Sequence, residues 1–170
     1  MTHPEAAEPA GSAADEVARI DQIVVAAYTL PNDLPESDGT LEWSATTMVL
    51  VHFFAGGKCG LGFSYADTAT AALIRDKLVP LLMGRDATAI AGRWQDMLHA
   101  IRNLGRPGIA SMAIAAVDNG LWELKAKLLD LPITLLGAVR KSIPIYGSGG
   151  FISYTDAQLA INSAAGRRRV

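Results

Sequence analysis

Residues 109–129 read as a single long helix that is apolar almost all the way round. A helix with apolar side chains on every side has no face to offer to water, so it belongs at the centre of a fold. Within it Ala113, Ala116 and Gly120 make a stripe of small residues, which predicts that a neighbouring backbone passes there at close range. Glu123 and Lys127 stand four apart and form a favourable pair on the wet side of the helix. Any fold for this chain has to be built around that segment.

The flanking sequence supplies the layers. Residues 17–30 are β-branched and apolar and predict a strand, and the polar run 31–39 (PNDLPESDG) predicts a turn-rich loop. Residues 46–54 (TTMVLVHFF) are apolar on both faces of a strand. Gly56-Gly57 then offers the positive φ angles of a tight hairpin, and a further strand follows over 60–65. From Asp67 the period lengthens from two to 3.6. Asp67 caps a helix over 67–79, which Pro80 and Gly84 close. Ile90, Trp94, Met97, Leu98 and Ile101 mark an amphipathic helix over 89–104. Beyond Pro132 and Gly137, residues 142–148 predict a short strand, and Thr155 with Gln158 forms a capping box that opens a helix through Ile161. The fold class is α+β, a three-stranded antiparallel sheet packed on a helical bundle over residues 17–140. Residues 1–16 read as a disordered leader, and 141–170 as the opening of an α/β unit.

Composition then removes whole classes of function. Half of the 170 residues are hydrophobic and 19% are charged, which suits one folded domain and not a disordered chain. The net charge is −2, and residues 1–45 hold nine of the 17 acidic groups with Arg19 as their one basic group. No basic stripe marks a nucleic-acid surface. The longest apolar stretch, 112–117, falls far short of the ~20 residues of a membrane span. Cys59 is alone, so no internal disulfide forms, and residues 1–16 lack the pattern of an export signal. A cytoplasmic location is expected.

Side-chain chemistry is sparse. His3, His52 and His99 have no metal-ligand spacing to one another or to carboxylates. His52 reads as a structural histidine within an apolar strand, and Cys59 as a small packing residue. Asp118 interrupts the central helix and reads as a polar anchor that bonds neighbouring backbone. The Gly147-Ser148-Gly149-Gly150 run is similar to a phosphate cradle but lacks the spacing of one. No catalytic residue and no metal ligand follows from these patterns.

Residues 105–137 (GRPGIASMAIAAVDNGLWELKAKLLDLPITLLG) carry a more specific signal. The Ala113-x-Ala115-Ala116-Val117-Asp118 and Leu121-Trp122-Glu123-Leu124-Lys125 runs, with the Leu-Pro and Leu-Leu-Gly after them, resemble the signature helix of the enolase superfamily. The branch is that of mandelate racemase and muconate lactonizing enzyme. Gly60-Leu61-Gly62-Phe63-Ser64-Tyr65, residues 80–86 (PLLMGRD) and Ile143-Pro144-Ile145-Tyr146-Gly147-Ser148 follow that branch in order. In two places the chain departs from it: Gly120 stands where Ala is usual, and 132–137 is one residue short.

The resemblance implies an N-terminal capping domain, followed by the first strand and helix of a β/α barrel. In the full-length family, Mg²⁺ held by barrel carboxylates stabilises the enediolate formed when a base removes the proton α to a carboxylate. Those groups lie on later barrel strands, so this chain is expected to need no cofactor of its own and to be inactive alone, as a truncated or frame-interrupted product. The implied substrate is a small carboxylate (an acid sugar or hydroxy acid), turned over by a racemase or dehydratase, and a homo-oligomer is possible. The capping positions that carry over are Leu34 in the 31–39 lid, Ser64 and Tyr65 in the second lid loop, and Tyr146 and Ser148 at the end of the first barrel strand. Tyr65 is equally readable as the last core-facing residue of its strand. The alternative function is a stand-alone α+β ligand- or partner-binding domain without catalysis.

Overall fold

The computed structural model describes residues 17–137, 139–144 and 151–166. Three antiparallel strands in the order β1-β2-β3 form one sheet: β1 (Gln22–Ser37), β2 (Glu42–Ala55) and β3 (Lys58–Tyr65). Gly56 and Gly57 turn the β2–β3 hairpin with φ of 54° and 70°, the region the Gly-Gly pair was expected to supply. The helices follow as α1 (Thr68–Leu73), α2 (Val79–Leu82), α3 (Ile90–Ala100), α4 (Ile109–Leu128) and α5 (Asp156–Gly166).

Helix α4 lies across the inner face of the sheet. Val49, Val51 and Phe53 of β2 point into the core and meet Ala113, Ala116, Val117 and Leu121 of α4, all fully buried. The small-residue stripe does what its spacing predicts. A Cβ on Gly62 of β3 would collide with the Ala116 carbonyl oxygen and stand 2.7 Å from the Gly120 nitrogen, and one on Gly60 would meet the Gly120 carbonyl. Strand and helix backbones touch because neither side has a side chain there. On the far side of α4, Ile74, Leu78, Leu82, Met97 and Ile101 complete the core.

Three local expectations change. The run 31–39 is not a loop: β1 continues through Ser37, its register with β2 shifting between Pro31 and Glu36. Proline cannot donate to a ladder, but a bulge on an edge strand needs no bond there, so Pro31 and Pro35 are accommodated. The turn narrows to 38–41, where the Asp38 carboxylate accepts from the Thr40 and Leu41 amides, both at 2.9 Å. Pro80 does not end the helix that begins at α1 either. One π turn (Ile74–Leu78) shifts the hydrogen-bond pattern and places Pro80 in the first turn of α2, where its missing N–H costs nothing. Helix α3 stops at Ala100, four residues before the expected end.

The two predicted helix caps stand. Asp67 accepts from the Ala69 amide at 2.8 Å as the cap of α1. The Thr155 amide donates to Gln158 Oε1 at 2.8 Å and opens α5. Residues 142–144 are not in a strand, and 145–148, the rest of the expected barrel strand, lie outside the described residues, as do 1–16.

Candidate functional site

The β1–β2 hairpin reaches beyond the rest of the sheet. β3 ends at Tyr65, opposite Met48, whereas β2 extends six residues further back to Glu42, which makes an arm about 20 Å long at the usual strand rise. Residues 151–154 pack on this arm. The Ile152 amide donates to the Ser37 carbonyl at 3.2 Å, and the Ser153 hydroxyl donates to the Pro35 carbonyl at 2.7 Å. Phe151 meets Trp43 edge to face with ring centroids 5.5 Å apart, and Tyr154 meets Phe151 in the same way. Trp43 Nε1 in turn donates to Glu36 Oε2 at 2.7 Å.

Between arm and segment lies a cleft of about 360 Å³ lined by Pro31, Asn32, Asp33, Leu34, Glu36 and Tyr154. Thr46 donates its hydroxyl to Asn32 Oδ1 at 3.2 Å across the base of the arm, and Asn32 Nδ2 is buried without a partner. At the tip, the Thr40 hydroxyl and amide together with the Leu41 amide hold the exposed Asp38 carboxyl down at about 2. The formal charges that line the cleft, Asp33 and Glu36, are both acidic, so it favours neutral polar groups such as hydroxyls over a carboxylate.

The sequence-predicted residues are only partly brought together. Leu34 lines the cleft. Tyr65 and Ser64 do not; they sit at the root of the arm on opposite faces of β3. Tyr65 is 62% exposed on the outer face, so its reading as a core-facing residue is overturned: side chains alternate along β3, and Gly60 and Gly62 take the inner face. Tyr146 and Ser148 lie outside the described residues, as do His3 and Gly147-Ser148-Gly149-Gly150. Asn32, Trp43 and Tyr154 were not legible as site residues, because isolated polar and aromatic side chains carry no period. The turn signal of 31–39 was the nearest clue.

A second concavity of about 670 Å³ opens between the start of α3 and the flank of α4, walled by Trp94 and Trp122. Lys125 Nζ donates to the Thr88 carbonyl at 3.0 Å and lies 5.5 Å from the Trp122 ring centroid. Asp118 lines the same groove and bonds no described residue, which corrects its reading as a backbone anchor. Burial pushes its carboxyl above the ordinary carboxylate range. His52 is half-buried on the outer sheet face opposite Val24 and Leu61, and Cys59 packs half-buried beside Phe54. Among the described residues no group of three or more His, Cys, Asp or Glu could hold a metal ion, and no helix is long and apolar enough to cross a membrane.

Residues 22–137 match the family model described as mandelate racemase / muconate lactonizing enzyme, N-terminal domain. This chain belongs to that family. Its three-stranded sheet and helices are the architecture of the capping domain of the enolase superfamily. A mandelate racemase/muconate lactonizing enzyme-like protein from Rubrobacter xylanophilus is 44% identical and superposes with a TM-score of 0.81, over 86% of this chain and 41% of that one. L-talarate/galactarate dehydratase from Salmonella typhimurium, liganded with Mg and L-lyxarohydroxamate, is 28% identical with a TM-score of 0.79, over 98% of this chain and 46% of that one. Among curated relatives, a D-mannonate dehydratase of Caulobacter sp. strain K31 is 36% identical over 108 residues, 61% of this chain and 27% of its own length. The chain thus spans about a quarter of the length of the curated relatives it matches. In family terms the projecting arm belongs to the capping domain, on the same unit as the signature helix α4.

Proposed function

We propose that this chain is the substrate-capping part of a mandelate racemase-like enzyme that removes the proton α to a carboxylate, as an acid-sugar dehydratase or racemase. The observation that carries this reading is the arm. It projects from the sheet of a chain whose residues 22–137 match the family's N-terminal domain, and a cleft runs along its β1 side. A cap of this kind excludes water and contacts the remote part of a substrate, so it governs which substrate is accepted more than the proton transfer itself. Leu34, Ser64 and Tyr65 are the capping side chains we assign, with Tyr146 and Ser148 added from outside the described residues. The acidic lining of the cleft suits the hydroxyl-bearing end of an acid sugar, with the carboxylate end directed away from the arm.

Residues 17–140 form the cap in this reading, and 141–170 open a β/α barrel. Mg²⁺, named with the structures of relatives, does not fit the described residues, which offer no ligand set. No step assigned to this chain runs through it. The chain alone is expected neither to racemise nor to dehydrate α-hydroxy acids.

Grafting residues 17–140 onto the barrel of a close relative tests the assignment. In that chimera Tyr65→Ala should raise KM or redirect substrate choice, while slow exchange of the α-proton stays detectable. Unchanged kcat/KM for every substrate, after both Tyr65→Ala and deletion of 32–41, would refute the capping role.

A further inference from the structure

Helix α4 carries Asp118, Trp122 and Lys125 along one flank, at the spacing that puts side chains on a common helical face. With Trp94 and Gln95 of α3 they line the groove of about 670 Å³, which shares no residue with the cleft along the arm. The charged groups here are unequally committed. Lys125 Nζ donates to the Thr88 carbonyl at 3.0 Å, and Arg93 pairs with Asp96 at 3.1 Å. Asp118 has no hydrogen-bond or ion-pair partner among the described residues, and burial is the sole influence on its carboxyl. Lys125 stands two helical turns further on, about 10 Å along the axis, and is tied to Thr88, so its ammonium does not neutralise Asp118.

We propose that this groove binds an alkylguanidinium, with the planar cation on the Asp118 carboxylate and the aliphatic stem against Trp94 and Trp122. The open group is an acceptor, so the ligand has to donate. A half-buried carboxylate without a counter-charge is costly, which favours a cation over a neutral donor and rejects an anion. A quaternary ammonium has no N–H to give. A guanidinium offers two parallel N–H groups to one carboxylate and stacks on an aromatic ring, which a compact ammonium cannot match. The apolar remainder of the lining, Ala89, Ile90 and Ala91, suits a hydrocarbon stem. The site is a binding site only and is independent of the capping role assigned to the arm.

Titration of n-butylguanidinium from about 0.1 to 20 mM into the isotope-labelled 170-residue chain tests this, read by nuclear magnetic resonance at the tryptophan indole N–H signals. Trp94 and Trp122 should shift saturably with a Kd on the order of 1 mM, as befits so small a ligand, while Trp43 on the arm stays still. n-Butylurea, of the same shape without the charge, should bind at least tenfold more weakly, and n-butylammonium several-fold more weakly. Asp118→Asn, which keeps the size and removes the charge, should weaken the guanidinium at least tenfold and leave n-butylurea unaffected. Trp94→Leu should weaken it too, with Trp122 as the reporter, and far-ultraviolet circular dichroism verifies that both variants are folded. The absence of any saturable shift overturns the proposal. So does equal binding of n-butylurea, undiminished affinity in both folded variants, or a response confined to Trp43.

Discussion

Gly62 of β3 and Gly120 of α4 face each other with no side chain between them: a Cβ added to Gly120 would stand 3.0 Å from the Gly62 nitrogen and 2.7 Å from the Phe53 ring. Helix and strand therefore approach to backbone contact, and the whole capping domain is assembled on that crossing.

Enlarging either glycine should be destabilising. Gly120→Leu drives a branched side chain into the Phe53 ring and the β3 backbone, and overpacking of this kind costs about 1–3 kcal/mol. Gly62→Ala should be at least as damaging, because its Cβ meets the Ala116 carbonyl and backbone cannot swing aside. Urea melts measure both, and a neutral Gly120→Leu would mean that α4 does not cross β3 there.

The Glu123–Lys127 pair, legible in sequence as a surface ion pair, does a second job by capping the open edge of β3. Glu123→Ala should cost about 1 kcal/mol, near the usual net value of one hydrogen bond. It should also speed deuterium exchange at the Leu61 amide while exchange at the buried β2 amides keeps pace only with the global change. Unaltered exchange at Leu61 would show that the bond contributes nothing.

Asp118 gives the fold a pH dependence of known sign. Burial holds its carboxyl above 3.8, so the folded chain binds that proton more tightly than the unfolded one. Stability is then lost as pH rises from 3.8 through the raised value. Asp118→Asn removes the charged form and should raise the Tm at pH 7, the gain shrinking as the pH falls toward 3.8. A Tm difference that is the same at both ends of that window would contradict the assignment.

Phe151→Ala should loosen the arm without touching the core. The Phe151 ring bridges Trp43 and Tyr154, and the Ile152 and Ser153 bonds to Ser37 and Pro35 lie beside it. Amides of 36–43 should exchange several-fold faster, those of 48–54 should not change, and Trp43 emission should shift to the red. Identical exchange in the arm would show that 151–154 does not restrain it.

Much of the core could be read from the chain before any coordinates. The 3.6 period of Ile90, Trp94, Met97, Leu98 and Ile101, the Gly-Gly turn, and the caps at Asp67 and Thr155 are local choices. Each depends on residues within a few positions of one another, and each is seen in place. The candidate site was less legible. Leu34 was found, but the cleft it lines also needs Asn32, 14 residues from its partner Thr46, and Tyr154, more than a hundred residues further on.

The central helix, the three-stranded sheet and the close crossing at Ala113, Ala116 and Gly120 were determined by sequence alone, because burial periodicity and missing side chains act wherever they occur. Tertiary structure decided the rest. Residues 31–37, rich in proline and polar groups, favour a loop in isolation and become strand because β2 extends beside them and pairs with Pro31 on one side of the bulge and with Glu36 and Ser37 on the other. Pro80 would stop an isolated helix, yet a π turn held by the buried Ile74 and Leu78 carries the chain past it. In both places the local preference is worth less than the contacts and hydrogen bonds that a distant segment brings to it.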